Sequence, residues 1–236
     1  MKQKDLRSLT DSKTVKLNNS FEYIFFDLDG TLTDSQEGIV NSLRLGLEAV
    51  GIHKTDAELR VFIGPPLYSI FKYSFKLNDE QTETAVKAFR AHFSSKGIFE
   101  NRLYDGIGDL LKKLRENGRR LVIATSKPEV FAIRILEHFE IAEYFDFICG
   151  STMDEKRTAK SEVLAYALKK CGFTSDEDIH SQVLMVGDRF TDVLGAREFG
   201  IKTCYVLYGY GNKAEAEECG ADYIVDSVNA LGDFLI

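Results

Sequence analysis

Phe25-Phe26-Asp27-Leu28-Asp29-Gly30-Thr31-Leu32 is the stretch on which the fold turns: an apolar run delivers the chain straight into two carboxylates and a glycine. From Phe21 to Phe26 the residues are mostly aromatic or β-branched and do not alternate with polar ones, the pattern of a strand covered on both faces. Open parallel α/β sheets bind ligands just beyond the carboxyl ends of their strands, so Asp27 and Asp29 stand where such a fold keeps its chemistry. Residues i and i+2 of an extended segment face the same way, and converging carboxylates repel unless a cation or a proton lies between them. One reading is therefore a metal site. The other makes one aspartate a cap for the next element and its neighbour a solvated turn residue.

Beyond this loop, apolar residues at Ile39, Val40, Leu43, Leu47 and Val50 follow helical spacing up to Gly51. Ile63-Gly64-Pro65-Pro66-Leu67 is a breaker, and Leu67 to Phe75 and Thr82 to Phe93 resume the helical pattern. Strand signals are absent from about Gly38 to Asn101. This predicts a helical insertion that leaves and rejoins the core beside the carboxyl end of the first strand, the position of a lid.

From Asp105 onward, strand and helix alternate. Helices are predicted over 107–114, 129–138, 161–170 and 193–199, and strands over 120–125, 145–149, 183–186, 202–207 and 222–225. Such alternation predicts an α/β fold with a doubly wound, mostly parallel sheet and right-handed crossovers. The predicted organisation is a polar arm over residues 1–20, a core over 21–37 and 102–236, and a helical cap over 38–101.

The 236 residues carry 30 Lys plus Arg against 37 Asp plus Glu, a net charge of -7. That balance argues against a nucleic-acid surface, which needs clustered basic residues. No apolar run approaches the length that crosses a bilayer, so no membrane partner is expected. Cys149, Cys171, Cys204 and Cys219 show no paired ligand spacing and read as reduced thiols, which suits a cytoplasmic protein. Residues 1–20 lack the apolar segment of a secretory signal.

Three later strand ends carry polar groups that match the first loop. Ala124-Thr125-Ser126-Lys127-Pro128 sets hydroxyls and backbone N–H groups at a helix start, either an anion site or an ordinary N-cap. Lys160 precedes the helix beginning near Ser161, where a cation meets the unfavourable end of the helix dipole and so implies a negative partner. Lys156 and Arg157 share that loop, and Lys160 is the favoured choice. Met185-Val186-Gly187-Asp188-Arg189-Phe190-Thr191-Asp192 again ends an apolar strand in an acid, with a second acid one helical turn later. Four carboxylates would then converge on one crevice. With a phosphate dianion the local charge would reach about minus six, which calls for a divalent cation, Mg²⁺, and Lys160.

Asp27-Leu28-Asp29-Gly30-Thr31, Thr125, Lys160 and Gly187-Asp188-x-x-x-Asp192, in that order, resemble the four motifs of the haloacid dehalogenase superfamily across nearly the whole chain. The helical insert, Ile63-Gly64-Pro65-Pro66-Leu67 and Thr125-Ser126-Lys127-Pro128 resemble its phosphoglycolate phosphatase-like branch. The resemblance implies a Mg²⁺-dependent phosphatase acting on a small phosphorylated metabolite. Asp27 would be the nucleophile that becomes an aspartyl-phosphate, and Asp29 the acid and base. Mg²⁺ would be held by Asp27, the backbone carbonyl of Asp29, and Asp188. Thr125, Ser126 and Lys160 would bind phosphate oxygens, with Gly30 and Asp192 in support.

Alternatives are a 5'-nucleotidase-type phosphatase of the same superfamily and a sugar-phosphate mutase, although the Gly64-Pro65-Pro66-Leu67 loop lacks the basic residue that similar mutases place there. Outside enzymes, a phosphoacceptor receiver-like protein shares the residue types but carries its aspartate on the third strand. Selectivity falls to the cap, to Gly64, Pro65 and Arg90, the last being either a leaving-group anchor or a solvated helix residue. A monomer or homodimer is expected.

Overall fold

The computed structural model describes residues 21–64, 67–154 and 156–236. The arm expected over 1–20 and the pair Pro65-Pro66 lie outside them. Strand β1 (Tyr23–Phe26) is fully buried, and its two faces meet different layers. Tyr23 and Phe25 pack with Val163, Leu164 and Ala167 on one side, and Ile24 and Phe26 pack with Leu111 and Ile135 on the other. Coverage on both faces is why the run carries no polar alternation.

Two short strands, β2 (Thr33–Asp34) and β3 (Arg102–Leu103), pair antiparallel. They bracket the insert: α1 (Gln36–Glu48), α2 (Asp56–Leu59), α3 (Leu67–Ser69) and α4 (Asp79–His92). Wide π-type turns extend α3 over Ile70–Ser74 and α4 over Phe93–Gly97. Asn78 starts α4 by accepting from Gln81 N–H at 2.9 Å, a capping arrangement legible in the residue types. Leu43 and Leu47 join Phe71, Ala85 and Phe89 in an apolar cluster continuous with Ile24 and Phe26 of the sheet.

The core continues with α5 (Ile107–Glu116), β4 (Arg120–Pro128), α6 (Glu129–His138), β5 (Phe147–Ser151), α7 (Lys160–Cys171) and α8 (Asp176–Gln182). It closes with β6 (Val183–Gly187), α9 (Phe190–Arg197), β7 (Lys202–Val206), α10 (Lys213–Cys219), β8 (Tyr223–Val225) and α11 (Val228–Leu235). The six-stranded sheet runs β5-β4-β1-β6-β7-β8, and every neighbouring pair is parallel. After β1 the chain winds outward through β4 and β5, then crosses back to β6 on the other side. The carboxyl end of β1 is thus the topological switch point, where the connections diverge and leave a crevice.

Four helices, α2, α8, α10 and α11, and the β2–β3 ribbon depart from the predicted element list. Helices α8 and α10 each bury a single residue, Ile179 and Ala216, so neither shows an apolar stripe. α11 is an eight-residue terminal helix. The caps of these last three, Ser175, Asn212 and Ser227, were the available signals. The ribbon strands hold two residues each, too few to show a period. All four cysteines are free thiols, and burial pushes those of Cys149 and Cys171 up to about 12. No helix among the described residues is long and apolar enough to cross a membrane.

Candidate active site

Asp27 continues the strand ladder for one residue beyond β1, its N–H donating to Val186 O at 2.9 Å. The chain then turns sharply. The N–H groups of Thr31, Leu32 and Thr33 all point at Leu28 O, at 3.2, 2.9 and 3.0 Å, and Gly30 takes φ +84°. Because extended geometry ends here, Asp29 stays out of the carboxylate cluster that Asp27 forms with Asp188 and Asp192. Its Oδ1 and Oδ2 instead accept from Lys127 Nζ at 2.7 and 2.6 Å. The expected convergence of four carboxylates is corrected to three, since Asp27, Asp188 and Asp192 each place an oxygen within 4.8 Å of the others.

Asp188 and Asp192 arrive from the adjacent strand end. Asp188 is fully buried and accepts from Tyr210 N–H at 2.8 Å and from Thr31 Oγ1 at 3.2 Å. Asp192 accepts from Arg189 N–H at 3.1 Å, which closes the first turn of α9. Space for both acids comes from missing side chains. A Cβ at Gly30 would lie 2.2 Å from Asp188 Oδ2, and one at Gly187 2.3 Å from the Asp192 carboxyl.

Lys160, the first residue of α7, brings its Nζ to 3.0 Å from Asp27 Oδ1, 2.7 Å from Asp192 Oδ1 and 2.9 Å from Ala124 O. Its position at the positive end of α7 is thus offset by two acids, as the sequence implied. Burial alone would lower the ammonium, but Asp192 and Asp27 outweigh it and hold the group above its usual range. Burial, together with Asp192 and Asp27, holds the Asp188 carboxyl well above the carboxylate range. Burial likewise raises Asp192, with Lys160 opposing and Asp27 assisting.

Three acids face one ammonium, and two of their buried oxygens, Asp27 Oδ1 and Asp192 Oδ1, lack a partner of hydrogen-bond geometry. Their contact with Lys160 is one of charge. A hard divalent cation fits such an oxygen set, because it supplies the missing positive charge and takes carboxylate oxygens as ligands.

The remaining expected residues gather unevenly. Thr125 is buried at the end of β4, where the register with β5 breaks between Ala124 and Pro128. Its Oγ1 accepts from Lys127 N–H at 3.2 Å, which leaves the hydroxyl proton to give. Ser126 beside it is exposed. Gly64 (φ +115°) lies against Arg189, whose Nη1 donates to Ile63 O at 2.9 Å, so the cap loop meets the segment carrying Asp188. Pro65 lies outside the described residues. Arg90 is half-buried on α4 and lines a depression of about 410 Å³ with Tyr68, Glu83, Val86 and Lys87, all cap residues.

Sequence reasoning missed three residues. Lys127 was visible only as part of the Thr125-Ser126-Lys127-Pro128 stretch. Arg189 also pairs with Glu215 at 3.1 Å, and Tyr210 ties Asp188 to the linker through Ser35 N–H, which donates to its hydroxyl at 2.8 Å. Neither carries a local signal.

The profile described as haloacid dehalogenase-like hydrolase matches residues 24–206. A 5'-nucleotidase of Pseudomonas aeruginosa is 42% identical over 81% of this chain and 85% of its own length. A Mycobacterium tuberculosis protein named tyrosine-protein kinase PtkA is 44% identical over 80% of this chain, which spans 63% of that relative. A haloacid dehalogenase-like family hydrolase of solved structure from Streptococcus pneumoniae is 35% identical, with a TM-score of 0.77 over 86% of this chain and 93% of its own. More distant relatives carry the name phosphoglycolate phosphatase.

Proposed function

The chain belongs to the haloacid dehalogenase-like hydrolase family and is a phosphatase, and from that premise we propose that it hydrolyses small-molecule phosphomonoesters through an aspartyl-phosphate on Asp27, with Mg²⁺ as its cofactor. The observation that carries this reading is the Lys160 ammonium set between Asp27 at 3.0 Å and Asp192 at 2.7 Å at the switch point of the sheet.

Asp27 needs no base to activate it, because its carboxylate is already the nucleophile. Its oxygen forms a bond to phosphorus while the bond to the leaving oxygen breaks, and Asp29 gives that oxygen a proton. Water then attacks phosphorus, Asp29 takes its proton, and the bond to Asp27 breaks to release inorganic phosphate. Thr125 Oγ1, the Ser126 N–H and Lys160 hold the remaining phosphate oxygens, with Asp192 and Ala124 O fixing Lys160. Asp27, Asp188 and the Asp29 carbonyl would hold Mg²⁺, whose charge offsets the acids and the phosphate when it is bound.

The test is phosphate release across phosphoglycolate, nucleoside 5'-monophosphates and sugar phosphates. The core grips only what these share, so ranking among them falls to the cap. Phosphoglycolate-like substrates are the first reading. Nucleoside 5'-monophosphates are the second, supported by the 42% identical relative named 5'-nucleotidase. No release from any class, with Mg²⁺ present, would overturn the proposal.

Two substitutions separate roles. Asp29→Asn should lower kcat on alkyl phosphates by about 10²- to 10³-fold and recover part of that loss on p-nitrophenyl phosphate, whose leaving group needs no proton. Equal losses on both would remove Asp29 as the acid. Arg90→Ala should raise KM for phosphoglycolate by about fivefold or more and leave phenyl phosphate nearly unchanged, through loss of a charge-assisted contact. Parallel changes would show that Arg90 does not read the leaving group.

A further inference from the structure

We propose that Lys127 is a positioning residue for Asp29, and that the cap steers it through Phe93. The inference rests on the reading of Asp29 as the acid and base. Lys127 is 7% exposed, and its Nζ grips both oxygens of Asp29, at 2.7 and 2.6 Å. A carboxylate held at both oxygens by one ammonium has its plane and direction set by that ammonium. Lys127 sits in the register break at the end of β4, directly after Thr125 and Ser126, so the same loop that faces the phosphate also aims the acid.

The same ammonium lies 4.9 Å from the centre of the Phe93 ring, within the range at which a cation is attracted to an aromatic face. Phe93 opens the π-type turn of the cap, a local widening that frequently marks functional positions. Its ring stacks on Phe89 at 5.4 Å and meets Phe131 of α6 edge-on at 5.5 Å. Arg134 of α6 holds the same turn, its Nη1 donating to Ser94 O at 2.8 Å. Lys127 therefore touches the acid on one side and the cap on the other. A cap displaced from α6 takes the ring off the ammonium, and the Asp29 carboxylate loses a fixed direction.

The readout is dependence on the leaving group, which a purely structural role would not move. Lys127→Met should lower kcat on an alkyl phosphate at least about tenfold more than on p-nitrophenyl phosphate, with KM changed less than about threefold, because only the protonated departure needs an aimed acid. Lys127→Arg keeps a buried cation and should remove most of that bias, returning the alkyl phosphate rate toward that of the parent. Phe93→Leu keeps apolar bulk but removes the ring, and should show the same bias at about three- to tenfold without touching Asp29. Thermal melting of each variant separates loss of fold from loss of aim, and Phe93→Leu carries the test if Lys127→Met does not fold. If Asp29→Asn shows the bias and neither Lys127→Met nor Phe93→Leu does, Lys127 does not position the acid. If Lys127→Met shows it and Phe93→Leu does not, the steering by the cap is wrong. If Asp29→Asn itself shows none, the proposed function fails first.

Discussion

Replacing Asp27 with Asn should reduce kcat by at least about 10⁴-fold while the protein stays folded, as for removal of other covalent nucleophiles. An amide of the same size keeps the packing at the end of β1, but it has no carboxylate oxygen with which to form the acyl phosphate. The substitution also distinguishes a chemical role from a structural one. Asp27 is among the charges that raise the carboxyls of Asp188 and Asp192, so neutralising it relieves repulsion in the metal-free site. The melting temperature of Asp27→Asn without metal should therefore equal or exceed that of the parent. Turnover within about tenfold of the parent, a difference of only about 1.4 kcal/mol in the barrier, would remove Asp27 as the nucleophile.

Removing divalent metal should have an effect of comparable size. In excess chelator, turnover should fall on the order of 10³-fold or more and return with Mg²⁺, since charge stabilisation worth several kcal/mol is withdrawn. Ca²⁺ should inhibit. The larger ion takes more ligands and accepts both oxygens of one carboxylate, and Asp27 held that way cannot attack. Full turnover in chelator, or with Ca²⁺ alone, would exclude the metal role.

The same site gives a signature in stability. Asp188 and Asp192 have carboxyls raised in the folded protein, Asp192 to about 6, against about 3.9 in an unfolded chain. A raised group favours the fold below its unfolded value, and that contribution is lost as pH rises through the folded value. The metal-free protein should lose melting temperature from about pH 4 through about pH 6 and beyond. Mg²⁺ should then raise the melting temperature more at pH 7.5 than at pH 5. A gain independent of pH would show that Asp188 does not hold the ion.

Sequence by itself determined the α/β class, the helical insertion, the strand ends that carry Asp27, Thr125 and Asp188, and the helix start that carries Lys160. These are local properties: a run buried on both faces, a glycine after it, an apolar stripe at helical spacing. Lys160 was legible because a cation at a helix start requires a nearby acid, and the structure supplies two at 3.0 and 2.7 Å. Tertiary structure alone decided where Asp29 points. Strand alternation would have sent it beside Asp27, but the turn over Leu28 ends that alternation. The partner that captures it, Lys127, is 98 residues away. Their contact exists because β4 pairs with β1 in the sheet, and a pairing between distant segments leaves no period in either one. The same holds for Phe93 over Lys127, for Arg189 at Ile63 and for Tyr210 at Asp188. Each is set by how the layers dock, a property of shape and buried area summed over the molecule rather than of the residues on either side.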